Sequence, residues 1–252
     1  MRLMHVALVV LITAVVLTLV EIRVRSDMPW PEIWDEWRRF GYTRSMACVA
    51  ANAGLKLWAA FDPFRPQTIW RTGVHKLVPG SGALRANWRA VLAESERLCL
   101  APIQNMHGGF QLTRGRWQAF VLKKHGQPFK PDALERMPRT CALLAGMQCE
   151  MAMLSNLGVG TRLKRHTGPF YGFLRYHLCL KGDGLAELSV GTEKYRWRPG
   201  EHVVFDETQP HSACNFGTVD RLVLFVDVVR PLIGLGPVVR AGTRLTQGLH
   251  GW

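Results

Sequence analysis

Hydrophobic positions change their rhythm along the chain, and each change marks a different kind of element. Over 4–20 they run unbroken (MHVALVVLITAVVLTLV). A helix on the surface of a globular domain keeps one side polar, and this segment has no polar side. As a helix it reaches about 25 Å, slightly short of a bilayer core of about 30 Å. Leu3 and Ile22 extend it, and Arg2 and Arg23 can reach the interfaces by snorkelling. A cleaved signal peptide ends in small residues, whereas EIRVRSD follows here. The pattern predicts an uncleaved membrane anchor over residues 1–25.

Residues 26–79 form a Trp-rich juxtamembrane region with an amphipathic stretch around Ile33, Trp34 and Trp37. Trp30, Trp34 and Trp37 fit an interfacial belt or ordinary packing against the following domain. Over 84–98, Leu84, Trp88, Val91, Leu92 and Leu98 recur at roughly helical spacing, which predicts one amphipathic helix. Beyond residue 110 the rhythm shortens. QAFVL, FLRYHLCL, LAELSV, HVVF and RLVLFVDVV are β-rich runs separated by Gly, Pro, Asp and Asn. Short strands at this pitch predict an all-β sandwich or jelly roll over 80–232, followed by a C-terminal tail at 233–252.

Composition adds a direction to this picture. The 252 residues are 48% hydrophobic, and 32 Lys+Arg against 19 Asp+Glu leave a net charge of +13. Such a surplus favours an anionic partner: phospholipid head groups, nucleic acid or an acidic substrate. The basic residues are scattered and no basic run is interleaved with aromatics, so nucleic acid is not expected. An anionic membrane surface or a solvated basic face remains. Arg23, Arg25, Arg38 and Arg39 follow the apolar segment while Arg2 precedes it, which places the larger, C-terminal part in the cytoplasm. The six cysteines lie far apart without C-x-x-C spacing, which excludes the usual zinc motifs and suits a reducing compartment.

Candidate chemistry concentrates in 155–177, 198–215 and 221–231. His166 precedes the turn Thr-Gly-Pro, His211 follows the turn-like DETQP, and Arg221 opens a further strand. In a jelly roll such positions converge inside one mouth of the barrel. Non-haem iron sites commonly take two histidines and one carboxylate, leaving room for a chelating co-substrate and oxygen. The carboxylate usually lies two residues after the first histidine, where this chain has Gly168. Glycine cannot ligate, which leaves two protein ligands. The remote carboxylate of 2-oxoglutarate needs a fixed, bidentate cation, and Arg221 suits that role, with Arg175 and His177 as second contacts on a neighbouring strand. On spacing alone, two histidines and a distant arginine also arise in β domains without any site. Asp206 reads as a turn-forming residue or as a partner behind His211.

The wording of these stretches is more specific than their spacing. HTGPFYGFLRYHLCL, WRPGEHVVFDETQPHSACN and RLVLFVDVVRP resemble the core of the aspartyl/asparaginyl β-hydroxylases, and LRANW, RGRWQAFVL and MPRTCALL extend the likeness upstream. The resemblance covers roughly residues 80–232. It implies a mainly β fold, a double-stranded β-helix (jelly roll, cupin-like) with N-terminal helices, here behind one transmembrane helix. It further implies Fe(II) on His166 and His211, with 2-oxoglutarate and O2 as co-substrates. Arg221 would meet the C5 carboxylate of 2-oxoglutarate, and Arg175, His177, Ser155 and Trp117 would line that pocket. Gly168 fits this family, which lacks the third ligand. Where secretory members carry a cysteine seven residues before the one matching Cys141, this chain has Leu134, so their disulfide cannot form. Phe170, Tyr171 and Gly172 also depart from the usual polar pair. The expected substrate is the β-carbon of Asp or Asn residues in a peptide or protein, or alternatively a lipid acyl chain. A non-catalytic jelly-roll binding module and a cupin-like enzyme using another divalent metal are the competing readings.

Overall fold

The computed structural model describes residues 68–103, 112–168 and 170–232, with Ile12, Val16, Asn52, Gly54 and Leu55. The expected anchor, most of the juxtamembrane region and the tail lie outside the described residues. Among the described residues no helix is long and apolar enough to cross a membrane.

The chain runs β1 (Ile69–Trp70), α1 (Val74–Leu77), α2 (Ser81–Ala86), α3 (Trp88–Ser95), β2 (Ala101–Pro102), β3 (Leu112–Arg114) and β4 (Trp117–Lys123). It continues through α4 (Pro131–Arg136), α5 (Pro138–Ala145), β5 (Cys149–Leu157), β6 (Arg162–His166) and β7 (Phe173–Lys181). The last strands are β8 (Ala186–Val190), β9 (Glu193–Arg196), β10 (His202–Phe205), β11 (His211–Asn215) and β12 (Arg221–Val229). The strands form two antiparallel sheets. A seven-stranded sheet has the order β1-β10-β7-β12-β5-β4-β2, and a five-stranded sheet the order β3-β6-β11-β8-β9. From β5 to β8, and again from β9 to β12, the chain alternates between the sheets, as in a jelly roll.

Two cores follow from the two-residue period of a strand. One face of the large sheet presents Leu222, Leu224, Val226 and Val228 of β12 to the helices, against Val74, Leu84, Met137 and Leu144. The other face presents Val223 and Phe225 towards Leu188, Val190 and Trp197 of the small sheet. Every residue of β12 is therefore buried. A strand covered on both faces has no reason to alternate in its sequence.

The helix expected over 84–98 is two helices broken at Asn87, which carries φ −99° and ψ 15°. Its side-chain amide donates to the Ala83 carbonyl at 2.9 Å, so the side chain competes with the helical ladder and splits it. Glu94 of α3 then caps α5 from a distance. Its carboxylate accepts from the backbone N–H of Arg139 and Thr140, each at 2.9 Å, satisfying donors that a helix start leaves open. Pro138 begins that helix, where its missing N–H costs nothing. Cys99, Cys141, Cys149, Cys179 and Cys214 are all unpaired thiols.

Candidate active site

Strands β6 and β11 pair antiparallel with His166 directly opposite His211. Cross-strand partners of this kind hold their Cβ atoms about 5 Å apart on one face, so the register alone brings together imidazoles distant in sequence. The ring centroids lie 4.2 Å apart with planes inclined at 55°. Both rings are buried. Nδ1 of His166 contacts Lys164 O at 2.7 Å, and Nδ1 of His211 contacts Gln209 O at 2.9 Å. A carbonyl can only accept, so both Nδ1 atoms carry the proton and both Nε2 lone pairs are left for a ligand. Burial lowers the His166 pKa to about 4 and His211 well below its ordinary value, helped for His211 by the neighbouring His166. At neutral pH both rings are uncharged, the form that binds metal. With metal–nitrogen bonds of about 2.0–2.1 Å, two such rings set at a wide angle can share one ion.

Arg221 starts β12 on the inward face and is buried. Its guanidinium lies 4.6 Å over the Trp197 ring, and its Nε and Nη1 have no hydrogen-bond partner within the protein. Burial lowers its pKa to about 10. A buried cation with unanswered donors is costly unless an anion answers it. His177, two strand positions from Arg175, sits between Trp197, Phe205 and Phe225, and both of its ring nitrogens are also unanswered. Ser155 lies opposite Val223, and its Oγ accepts from Trp117 Nε1 at 3.0 Å, which leaves the hydroxyl proton available. Arg221, His177, Ser155 and Trp117 thus share the inner face of the large sheet.

Arg175 is placed differently. Its Nε and Nη2 donate to the two oxygens of Asp227 at 2.9 and 3.2 Å, and Nη2 also pairs with Glu207. Burial alone would lower its pKa, but Asp227 and Glu207 together raise it. Its charge is already answered from within the protein. His125 reaches the same Asp227 at 3.4 Å. Sequence reasoning missed Glu207, His125 and Asp227 as participants. DETQP and DVVRP contain the carboxylates, but nothing local shows that they converge on one arginine.

The family model for aspartyl/asparaginyl beta-hydroxylase matches residues 85–231, the stretch that carries both histidines and Arg221. The chain belongs to this family. Relatives include an ornithine lipid ester-linked acyl 2-hydroxylase of Rhizobium tropici, 31% identical over 61% of this chain and 58% of the relative. The human aspartate beta-hydroxylase domain-containing protein 2 is 30% identical over 59% of this chain and 44% of its own length. The human aspartyl/asparaginyl beta-hydroxylase is 28% identical over 64% of this chain and 22% of its own. The chain therefore spans about half or less of the curated relatives it matches. A 2OG-Fe(II) oxygenase family protein of Burkholderia pseudomallei aligns over 56% of this chain with a TM-score of 0.42 and 11% identity.

Within this β-hydroxylase core, Gly168 is fixed by its surroundings. A Cβ built there would lie 2.6 Å from Glu207 Oε2, and the Gly168 N–H donates to Glu207 O at 2.6 Å. The carboxylate of Glu207 fills the space into which a side chain at 168 would grow. We therefore expect Gly168→Asp, which would write a third ligand back into the sequence, to cost about 1–3 kcal/mol of stability through overpacking and to add no ligand. Pairing it with Glu207→Gly should recover most of that loss. Urea denaturation of both variants checks this, and a single variant as stable as the parent would refute it.

Acid should weaken the fold. His202 is lowered to about 4 and His177 well below its ordinary value, both mainly by burial, alongside His166 and His211. Unfolded, each titrates near 6.5. Between that value and about 4 the unfolded chain takes protons that the folded chain refuses, so stability is complete above the unfolded value and lost as pH falls. Glu207, raised to about 8 mainly by burial, acts in the opposite sense, one carboxyl against four imidazoles. The metal-free protein should unfold at lower urea at about pH 5 than at about pH 7.5, and equal midpoints would count against these four neutral rings.

Proposed function

We propose that the chain is an iron(II)/2-oxoglutarate-dependent dioxygenase that hydroxylates an unactivated C–H bond, with residues 80–232 as the catalytic domain. The observation that carries this reading is the paired imidazoles, each with Nδ1 committed and Nε2 free, in a barrel that also buries an unanswered guanidinium at Arg221. His166 and His211 would hold ferrous iron. When bound, iron with 2-oxoglutarate and O2 supplies the oxidising power, and the products are succinate, carbon dioxide and the hydroxylated substrate. Arg221, braced on Trp197, would fix the C5 carboxylate, and Ser155 and His177 would complete that pocket with Trp117 behind Ser155. Arg175, which holds Asp227 and Glu207, would line the site without surrendering those pairs. The dry interior around these groups keeps bulk water from the reacting centre.

The substrate reading that follows the family is the β-carbon of an Asp or Asn residue in a peptide or protein. A lipid acyl chain is the second reading, supported by the apolar Phe170, Tyr171 and Phe173 that follow His166 and by the acyl hydroxylase among the relatives. The apolar segment at 4–20 would hold the enzyme at a membrane, single-pass, with the catalytic domain in the cytoplasm.

Mass spectrometry separates these readings. The protein, loaded with iron(II) and 2-oxoglutarate, is offered Asp/Asn peptides and acyl lipids in parallel, and one class should gain a single oxygen atom. A gain on the lipid alone would select the second reading. No succinate with either class, and no change on His166→Ala, would instead support a binding module. Protease protection in intact vesicles reads the side of the membrane.

A further inference from the structure

For His166 and His211 to share an ion, two segments must be held against each other: the loop after His166 and the turn before His211. One side chain bonds to both. Arg230, immediately after β12 and buried, donates from Nε to Tyr171 O at 2.7 Å and from Nη2 to Phe173 O at 3.4 Å. The same Nη2 pairs with Asp206 Oδ1 at 2.9 Å. The guanidinium lies 3.9 Å over the Tyr171 ring, and the Arg230 backbone N–H donates to Gly172 O at 2.8 Å. These contacts fix the loop after His166 at three successive residues.

On the other side, Asp206 passes the constraint along the turn. Its Oδ1 accepts from Thr208 N at 3.0 Å and from Thr208 Oγ1 at 2.7 Å. That closes the turn leading to Gln209, whose carbonyl orients the His211 ring. Asp206 is thus both the turn former expected from sequence and the far end of a clamp. Cutting this chain of contacts would leave the register of β6 and β11, the Gly168–Glu207 backbone bond and the Arg175–Glu207 pair to hold the histidines together.

We infer that Arg230 is a positioning residue, which sets the separation and tilt of the two imidazoles by tying the loop after His166 to the turn before His211. The inference rests on reading the pair as a metal site. Arginine suits the task because its planar fork presents several donors in fixed directions, whereas an ammonium is a compact point charge on a flexible stem. Asp206 neutralises the charge, so the clamp holds the mouth without recruiting anions to it.

The test uses the full-length, metal-free protein with cobalt(II) as the probe, compared with Arg230→Lys and Asp206→Asn. Cobalt affinity and the ligand-field absorption spectrum are read beside the thermal midpoint and near-UV circular dichroism. Arg230→Lys should fold, lose cobalt affinity by about 10- to 100-fold, the scale on which partners behind the ligands act, and shift the spectrum. Asp206→Asn should shift the spectrum in the same direction with a smaller loss of affinity. A folded Arg230→Lys with the parent's affinity and spectrum overturns the inference. If the lysine variant does not fold, Asp206→Asn decides, and parental affinity and spectrum there overturn it equally. A parent protein that binds no cobalt removes the metal-site reading itself, and the inference falls with it.

Discussion

Replacing either His166 or His211 by alanine is expected to abolish metal binding and succinate formation while leaving the fold intact. A site with three protein ligands can keep some affinity after losing one, but the proposed one would have two, facing each other across β6 and β11. The loss should exceed the roughly 10- to 100-fold that outer partners of a metal site cost. Folding should survive because each ring gives up little: one hydrogen bond from Nδ1 to a carbonyl, worth about 1 kcal/mol, and some packing. Removing an imidazole also removes a group that resists protonation on burial, so the variants should tolerate acid better than the parent. Equilibrium dialysis with ferrous iron under nitrogen, run beside a succinate assay, measures both effects. An alanine variant that retained stoichiometric iron would disqualify that histidine.

The second large effect belongs to Arg221, and its two parts have opposite signs. Arg221→Met should raise the KM for 2-oxoglutarate by about 100-fold or more, since each hydrogen bond to a charged group contributes about 1.5–3 kcal/mol and 1.4 kcal/mol is a factor of ten. The same change should raise the thermal midpoint of the ligand-free protein. The guanidinium is charged in the folded and the unfolded chain at pH 7, but only the folded chain buries it with Nε and Nη1 unanswered. Its lowered pKa carries the same sign: the penalty is present in full below about 10, and neutral pH lies far below that value. Methionine is apolar, long and adaptable, so it can lie on Trp197 without that penalty. Stability gained with co-substrate affinity lost marks a group kept for binding. An unchanged KM would end its assignment to the C5 carboxylate, and a lower midpoint would mean that the protein answers its charge in some other way.

The parts of this molecule legible in its sequence are those whose chemistry restricts residue type. Strands β4, β7, β8, β10 and β12 were readable because turn residues bound short β-branched or aromatic runs. His166, His211 and Arg221 stand at strand ends beside such turns, and the sheet register puts the histidines opposite each other. Strand β5, the sequence CEMAMLSNL, escaped because it is buried on both faces and rich in Met and Ala, so it shows neither alternation nor strong β preference. Asn87 split a helix that hydrophobic spacing alone made continuous. The buried ionic groups were the least legible. Arg175 is expected to line the co-substrate pocket from the strand beside Arg221's, but its pairing with Asp227 and Glu207 leaves no trace in the sequence. Arg230 with Asp206 links positions distant in sequence that only the folded sheets bring together. Ion pairs of this kind leave no local periodicity to read.

The most direct test of the whole account is diffraction from crystals loaded anaerobically with ferrous iron and 2-oxoglutarate, recorded at the iron absorption edge. One anomalous peak is expected between Nε2 of His166 and Nε2 of His211, with the C5 carboxylate of 2-oxoglutarate against the Arg221 guanidinium. Iron located elsewhere, or a co-substrate carboxylate bound away from Arg221, would contradict it.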